Sequence, residues 1–477
     1  MTSTTTEPAR LRPQPPASTG PHTRTEQRAT LAVVCATTAM LMLDIAVVNT
    51  ALPHMARSLH ATLSGLQWVV DAYTLALATV VLSAGAWADR RGRRHVFLLG
   101  LALFTVASAA CAAAPGIVVL DVARGAQGLG AAVLFACSLA LLAEAFPAPG
   151  ERAKALGAYG ATIGGSFAVG PLLGGVMTST LGWRAIFLVN VPLGVVTAAA
   201  TRRWVRESRD GAPRGADVPG QLLACAGLGA LVLGLLRVTV DGWDGRVPLA
   251  AFAVAVVSLA AFLLVERASR EPMLPLDLFA NRAFTGAQLA AFAISASMFS
   301  VFLYTTIYLQ AVLHLSPVHA GLVYLPGTVV MFVVAGATSA FVERVPVALT
   351  LGVSLLVVAA GLLMMTHAGT HSSALSLVPG FVVACIGAGV FNPVMSGLVL
   401  GEAEASQSGL AAGVNDAFRQ TGIALGVAAL GALFPAPSVL AGGSADAFVT
   451  GLHRALLVSA VVAAVGAVSC WMTLRRR

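Results

Sequence analysis

Long apolar runs, separated by short polar breaks, constrain this chain more than any other feature. The core of a bilayer takes about 20 apolar residues of helix, and about fourteen runs are of that order. They lie near 29–53, 66–87, 96–114, 117–143, 155–179, 185–201, 218–236, 248–265, 284–313, 319–341, 347–367, 374–400, 409–434 and 449–472. Charged residues make up 10% of the 477 and hydrophobic residues 57%, whereas soluble domains carry about 25% charged residues. The chain therefore reads as an all-α polytopic membrane protein. The formal charge of +8 does not indicate a nucleic-acid partner. Its basic residues sit in the breaks between apolar runs, the pattern that orients membrane helices.

Arg90, Arg91, Arg93 and Arg94 follow the second span, and Arg152 with Lys154 the fourth. Arg202, Arg203, Arg206, Arg209 and Arg214 follow the sixth, Arg267, Arg270 and Arg282 the eighth, and Arg475 to Arg477 end the chain. In the odd-numbered breaks the main basic residues are Arg57, Arg184, Arg237 and Arg246. The positive-inside rule then places both termini in the cytoplasm. Residues 1–28, rich in Thr and Pro, are expected to be a disordered tail. The apolar run that follows is too long for a signal peptide and lacks a small-residue cleavage site. Cys35, Cys111, Cys137, Cys225, Cys385 and Cys470 lie within or beside apolar runs with no CxxC spacing. Neither a zinc site nor a disulfide framework is indicated, and no metal or cofactor is expected.

Six spans precede the Arg-rich break and six follow Arg282, with a pair between them. The expected domains are a tail (1–28), a first six-helix bundle (29–201), linker segments holding two inserted helices (202–283), and a second six-helix bundle (284–477). Such a plan places a substrate cavity between the bundles. A faint internal echo agrees: "GAWADRRGRR" at 85–94 is answered by "SAFVERVP" at 339–346, with Glu343–Arg344 at the Asp–Arg position.

"GAWADRRGRRHV" resembles the loop signature of the major facilitator superfamily, with Gly85, Asp89, Arg90, Gly92, Arg93 and Arg94 at the matching positions. Gly85 would allow a close helix contact and Gly92 a tight turn. Asp89 can meet the positive N-terminal end of a facing helix. The resemblance implies conformational gating by these residues, with Asp89 against residues 409–415 when the carrier is open outward. The plainer reading is a basic loop that only fixes topology.

"LDVARGAQGLGAA" (120–132) resembles the fourth-helix motif, with Arg124, Gln127, Gly128 and Gly130 in place. Asp121 and Arg124 are three residues apart and share a helix face, so they are expected to pair. For Arg124 the resemblance implies proton coupling. "GATIGGSFAVGPLLGG" (160–175) resembles the fifth-helix signature of antiporters, through Gly160, Gly164, Gly170, Pro171, Gly174 and Gly175, with Ser166 where glycine is usual. Glycines four apart allow close helix contact, and Pro171 can kink the helix. Ordinary small-residue packing is the competing reading.

"LDIAVVNTALP" resembles the first-helix motif of the fourteen-helix drug:proton antiporter family, with Asp44, Asn49 and Pro53 matching and Ala46 replacing the usual Thr. Further matches run nearly end to end: "QWVVDAYTLALA" (67–78), "GWRAIFLVNVPLG" (182–194), "EPMLPLDLF" (271–279), "YLQAVLHLSPVHAGLVYLP" (308–326) and "AAGVNDAFRQTGIALG" (411–426). Asp44 lies about 21 Å along its helix from Thr30, at 1.5 Å per residue. An acid at that depth marks a pathway or a proton relay, unless a neighbouring helix simply satisfies it.

The resemblance implies proton and substrate coupling by Asp44, Arg124, Asn49 and Gln127, with Asp71 a further candidate. Asp71 lies about two turns into a helix for which Ser64 and Gln67 offer a capping box. Water would reach it there, and it reads equally as an acid favoured by the helix dipole. Asp416 and Arg419 are expected to pair locally. The histidines fall mostly at helix ends and read as interfacial.

The expected function is proton-coupled efflux of a small amphipathic or cationic organic compound across the cytoplasmic membrane, by a monomer whose partners are substrate, protons and lipid. A proton-coupled uptake carrier of the same fold is the nearer alternative. A membrane-embedded enzyme would need a nucleophile and base, or a His-rich cluster, and a sensor would need a soluble output domain. No GxxxxGK[ST] loop provides for ATP.

Overall fold

The computed structural model describes residues 23–209, 217–269, 271–339, 346–402, 408–435 and 438–474. Fourteen long helices fill most of these segments. They are α1 (Arg24–Leu59), α2 (Leu63–Arg91), α3 (Arg93–Ala113), α4 (Ile117–Ala145), α5 (Pro149–Thr180), α6 (Ala185–Trp204), α7 (Val218–Asp241) and α8 (Arg246–Ala268). The rest are α9 (Arg282–Val312), α10 (Pro317–Ser339), α11 (Val347–Met364), α12 (Val378–Glu402), α13 (Ser408–Gly431) and α14 (Ala445–Leu474). No strand occurs among the described residues.

Thirteen of these helices are long and apolar enough to cross a membrane. The exception is α13, whose 24 residues include Asn415, Asp416, Arg419 and Gln420. Residues 24–28, expected to belong to a disordered tail, are helical, because Thr23 and Glu26 form a capping box that starts α1 at Arg24. Arg206, beyond α6, ties Glu26 at 2.7 Å. Residues 1–22, 210–216 and 475–477, and all of the 339–346 echo except its two ends, lie outside the described residues.

The first six helices pack on one another, α1 on α5, α2 on α4, and α3 on α4 and α6. The last six do likewise, α10 and α11 on α12, and α14 on α9 and α11. Between the two sets, α5 meets α10, α2 meets α13 and α1 meets α9. The pair α7–α8 packs on itself, and α7 leans on the α2–α13 seam. There Ser83 donates to Gln221 at 2.6 Å. Helix α8 turns Val254, Val256, Val257 and Leu264 outward, as suits a helix in lipid.

Local chemistry sets the turns. Gly92, between α2 and α3, has φ 109°, a conformation that a side chain resists. A Cβ there would also lie 2.7 Å from the Glu207 carboxylate. The capping box expected from Ser64 and Gln67 does not form. Thr62 caps α2 by accepting from the Gly65 amide at 3.3 Å, which releases Gln67 for a contact across the bundles. Helix α9 contains two π-helical turns, Ser295–Phe299 and Tyr308–Val312, a distortion often found at functional sites.

Candidate functional site

Asp44 is buried in the middle of α1, and its carboxylate is saturated by donors from two other helices. Arg124 Nη1 donates to Oδ2 at 2.6 Å. Gln127 Nε2 and Asn190 Nδ2 donate to Oδ1 at 2.8 and 3.0 Å. Arg124 is held as well: Nη1 also reaches Gln127 Oε1 at 2.7 Å, and Nε donates to the Val69 carbonyl at 3.0 Å. Its guanidinium carbon sits 4.3 Å from the centroid of the Tyr73 ring. Gln127 Nε2 donates in addition to Ser108 at 2.9 Å, so one orientation of its amide satisfies every partner. Asp44, Arg124, Gln127 and Asn190 are each at most 3% exposed.

The expected Asp121–Arg124 pair is absent. Asp121 Oδ1 has no hydrogen-bond partner among the described residues, because the guanidinium runs inward to Asp44 instead. Magnitudes explain the choice. A local pair three residues apart contributes about 0.2–0.5 kcal/mol, whereas a buried charge left unpaired costs about 3–5 kcal/mol.

Asp71 departs from expectation in another way. It is 0% exposed, so no water reaches it in this structure. Neither carboxyl oxygen has a hydrogen-bond partner among the described residues. Asn49 stands apart from the Asp44 network; its side-chain amide donates to the Ile45 carbonyl at 3.2 Å and lines the central cavity.

That cavity lies between the two helix sets. Arg124, Tyr73 and Asn49 line one side, and Phe299, Phe302 and Tyr324 the other. Bonds between the sets close one end, that of the α1–α2 turn. Gln67 Nε2 donates to the Tyr304 hydroxyl at 2.8 Å and to the Val427 carbonyl at 3.2 Å. Gln310 Nε2 donates to the Thr50 carbonyl at 2.7 Å. Thr328, which lines the cavity itself, donates to the Ala168 carbonyl at 2.8 Å in the middle of α5.

The fifth-helix glycines divide into two groups. A Cβ on Gly170 would strike Ala46, and one on Gly174 would strike Thr50, so α5 rides directly on α1. The replacement of the usual Thr by Ala46 falls at this contact. A Cβ on Gly175 would strike the Pro317 carbonyl of α10, and one on Gly164 would lie 3.2 Å from Phe332. Pro171, inside α5, lines the cavity. Gly160 has nothing within 4 Å, and for Gly85 the nearest atom is the Ala136 Cβ at 4.0 Å. Neither makes the tight contact expected of it.

The loop residues are tied within the first helix set. Arg93 Nε meets Asp89 at 2.8 Å, and its Nη1 lies 3.7 Å from Glu144. The Arg94 amide donates to Glu207 at 3.0 Å, and Arg90 is exposed. Asp89 thus pairs with Arg93 in this conformation, rather than with α13.

Asn190, Ser108 and Gln310 were not singled out from the sequence. Asn190 and Gln310 each carried a signal, a lone amide within an apolar run. Asn190 lies one turn into α6, whose backbone stays helical through Val189, and its side chain reaches Asp44 from there.

Residues 34–427 match the family model of the Major Facilitator Superfamily. The chain belongs to that superfamily. As a facilitator, it is 36% identical to the multidrug resistance protein Stp of Mycobacterium tuberculosis over 83% of this chain and 74% of the relative. It is 34% identical to the methylenomycin A resistance protein of Streptomyces coelicolor, over 92% and 90% of the two chains. It is 36% identical to the puromycin resistance protein pur8 of Streptomyces alboniger, over 84% and 80%. The crystal structure of the human organic anion transporter MFSD10 shares the fold of this facilitator, with a TM-score of 0.60 and 16% identity over 92% of this chain and 99% of that one.

Proposed function

We propose that this facilitator exports small organic compounds from the cytoplasm in exchange for protons, acting as a monomer with fourteen spans and both termini inside. The observation that carries the reading is the buried Asp44–Arg124 pair, whose arginine forms part of the cavity wall. The names of the multidrug, methylenomycin A and puromycin resistance relatives support export of drugs as the role. Transport rather than catalysis is the activity.

The exchange follows from the geometry. An ionised Asp44 holds Arg124 back against Gln127 and Val69. Protonation removes the charge that holds it, so the guanidinium gains freedom to move at the wall. Substrate arriving from the cytoplasm and a proton arriving from outside then favour opposite states of one pair. Asp71, buried without a partner, serves as a second proton holder, since an unpaired buried carboxylate is costly as an ion. Gln127 orients the pair and Asn49 contacts substrate.

With the termini inside, the closed end is external and the cavity faces the cytoplasm. Rocking of one bundle against the other alternates access. The α5 contacts at Gly164, Gly170, Pro171, Gly174 and Gly175 provide the bearing. Gly85, Asp89, Arg90, Gly92, Arg93 and Arg94 form the cytoplasmic gate, and Asp89 exchanges Arg93 for the start of α13 when the cavity opens outward.

Expression in a host that lacks its own efflux systems tests this reading. Drug accumulation should fall in cells making the protein, and an uncoupler should restore it. Accumulation that stays low with the uncoupler would exclude proton coupling.

A further inference from the structure

The walls of the cavity bear on the kind of compound carried. Among the residues that line it, none is Asp or Glu, and Arg124 is the charged one. Asp44 lies behind the wall at 3% exposure, with both oxygens occupied by Arg124, Gln127 and Asn190. Asp71 is 0% exposed. Asp416 and Arg419, on α13, are not lining residues. The polar part of the wall is neutral, made of Asn49, Thr74, Thr306 and Thr328 among others.

We propose that the cavity selects electrically neutral aromatic compounds with a few hydrogen-bonding groups, and disfavours permanent organic cations. This rests on the export reading above and names the substrate class of the same site. With Asp44 ionised, the Asp44–Arg124 pair sums to zero charge. With Asp44 protonated, the wall carries the uncompensated charge of Arg124. Neither state offers a cation an opposite charge, and burying an ion without one is strongly unfavourable.

Aromatic faces do not replace the missing carboxylate. The Tyr73 face already carries the Arg124 guanidinium at 4.3 Å. Phe302 is packed against Tyr324 at 5.1 Å and against Phe381 at 5.3 Å. A neutral ring system gains from burial between such walls. Its carbonyl or hydroxyl groups can meet Asn49 and the threonines without desolvating a charge.

Two measurements test this. The first compares binding of ethidium, a permanent cation, and dihydroethidium, its neutral counterpart, to the purified full-length protein. The second compares protection of an efflux-deficient host against neutral chloramphenicol and against ethidium and tetraphenylphosphonium. Dihydroethidium should bind about tenfold or more tightly than ethidium, a factor equal to about 1.4 kcal/mol. Protection should extend to chloramphenicol and not to the cations. Asn49→Asp, which adds a carboxylate to the wall without changing its shape, should raise ethidium binding at matched expression. Equal or better binding of ethidium and protection against both cations would overturn the proposal while leaving export intact. Failure to bind or protect against every compound would bring down the export reading, and this proposal with it.

Discussion

The two helix sets share one architecture and bury different chemistry. In α1–α6 the interior holds Asp44, Asp71 and Arg124, each at most 3% exposed. In α9–α14 the buried polar groups are uncharged, among them Gln288, Ser297, Ser300, Thr305, Thr306, Gln310, Thr328 and Gln420, with the buried tyrosines 304, 308 and 324. All ion pairs found among the described residues lie in the first set, between it and the segment just after α6, or in α7. The second set instead carries the two π-helical turns of α9 and the ring cluster of Phe302, Tyr324 and Phe381. Under the exchange proposed above, the first set handles the proton and the second shapes itself around the substrate.

Breaking the ion pair should have the largest effect. Arg124→Ala leaves Asp44 buried against two neutral amides, at a cost of about 3–5 kcal/mol, and should lower the melting temperature of the solubilised protein steeply. Combining Asp44→Asn with Arg124→Gln removes both charges and should recover most of that stability without recovering transport. If the double variant melts like Arg124→Ala, packing rather than charge holds the site together.

Asn190→Leu removes one neutral donor from a charged acceptor, a loss of about 1.5–3 kcal/mol. Stability should fall by less than for Arg124→Ala, and transport should slow at matched expression. An Asn190→Leu protein as stable and as active as the wild type would take Asn190 out of the site.

The second set should respond least. Tyr324 shares its hydroxyl with Thr305 at 2.8 Å and Thr306 at 3.1 Å, and Thr305 also bonds the Val301 carbonyl. Tyr324→Phe should therefore cost about 1 kcal/mol. It should alter the order of preference among substrates rather than the dependence on the proton gradient. A changed gradient dependence would erase the contrast between the two sets.

How much was legible in the sequence follows the reach of each interaction. Thirteen apolar helices could be read because bilayer thickness fixes helix length, whereas the amide-rich α13, expected as a further span, forms a helix that falls short in apolar character. The depth of Asp44 and its need for a partner could be read as well. Which partner could not, because Arg124 lies 80 residues away, whereas Asp121 offered a neighbour one turn off. Gln67 misled for the same reason: it suited a local cap, yet its bonds run 237 and 360 residues along the chain to α9 and α13. Glycine spacing identified α5 as a contact helix. It could not separate Gly170, pressed on Ala46, from Gly160, which faces open space.

Gradient-driven transport by Asp44→Asn tests the central claim most directly. In proteoliposomes with an imposed pH gradient, the wild type should move substrate against its concentration. Asp44→Asn, inserted and purified at the same level, should show no gradient-driven movement. Full gradient-driven transport by the variant would contradict the account and pass the proton to another acid, Asp71 first.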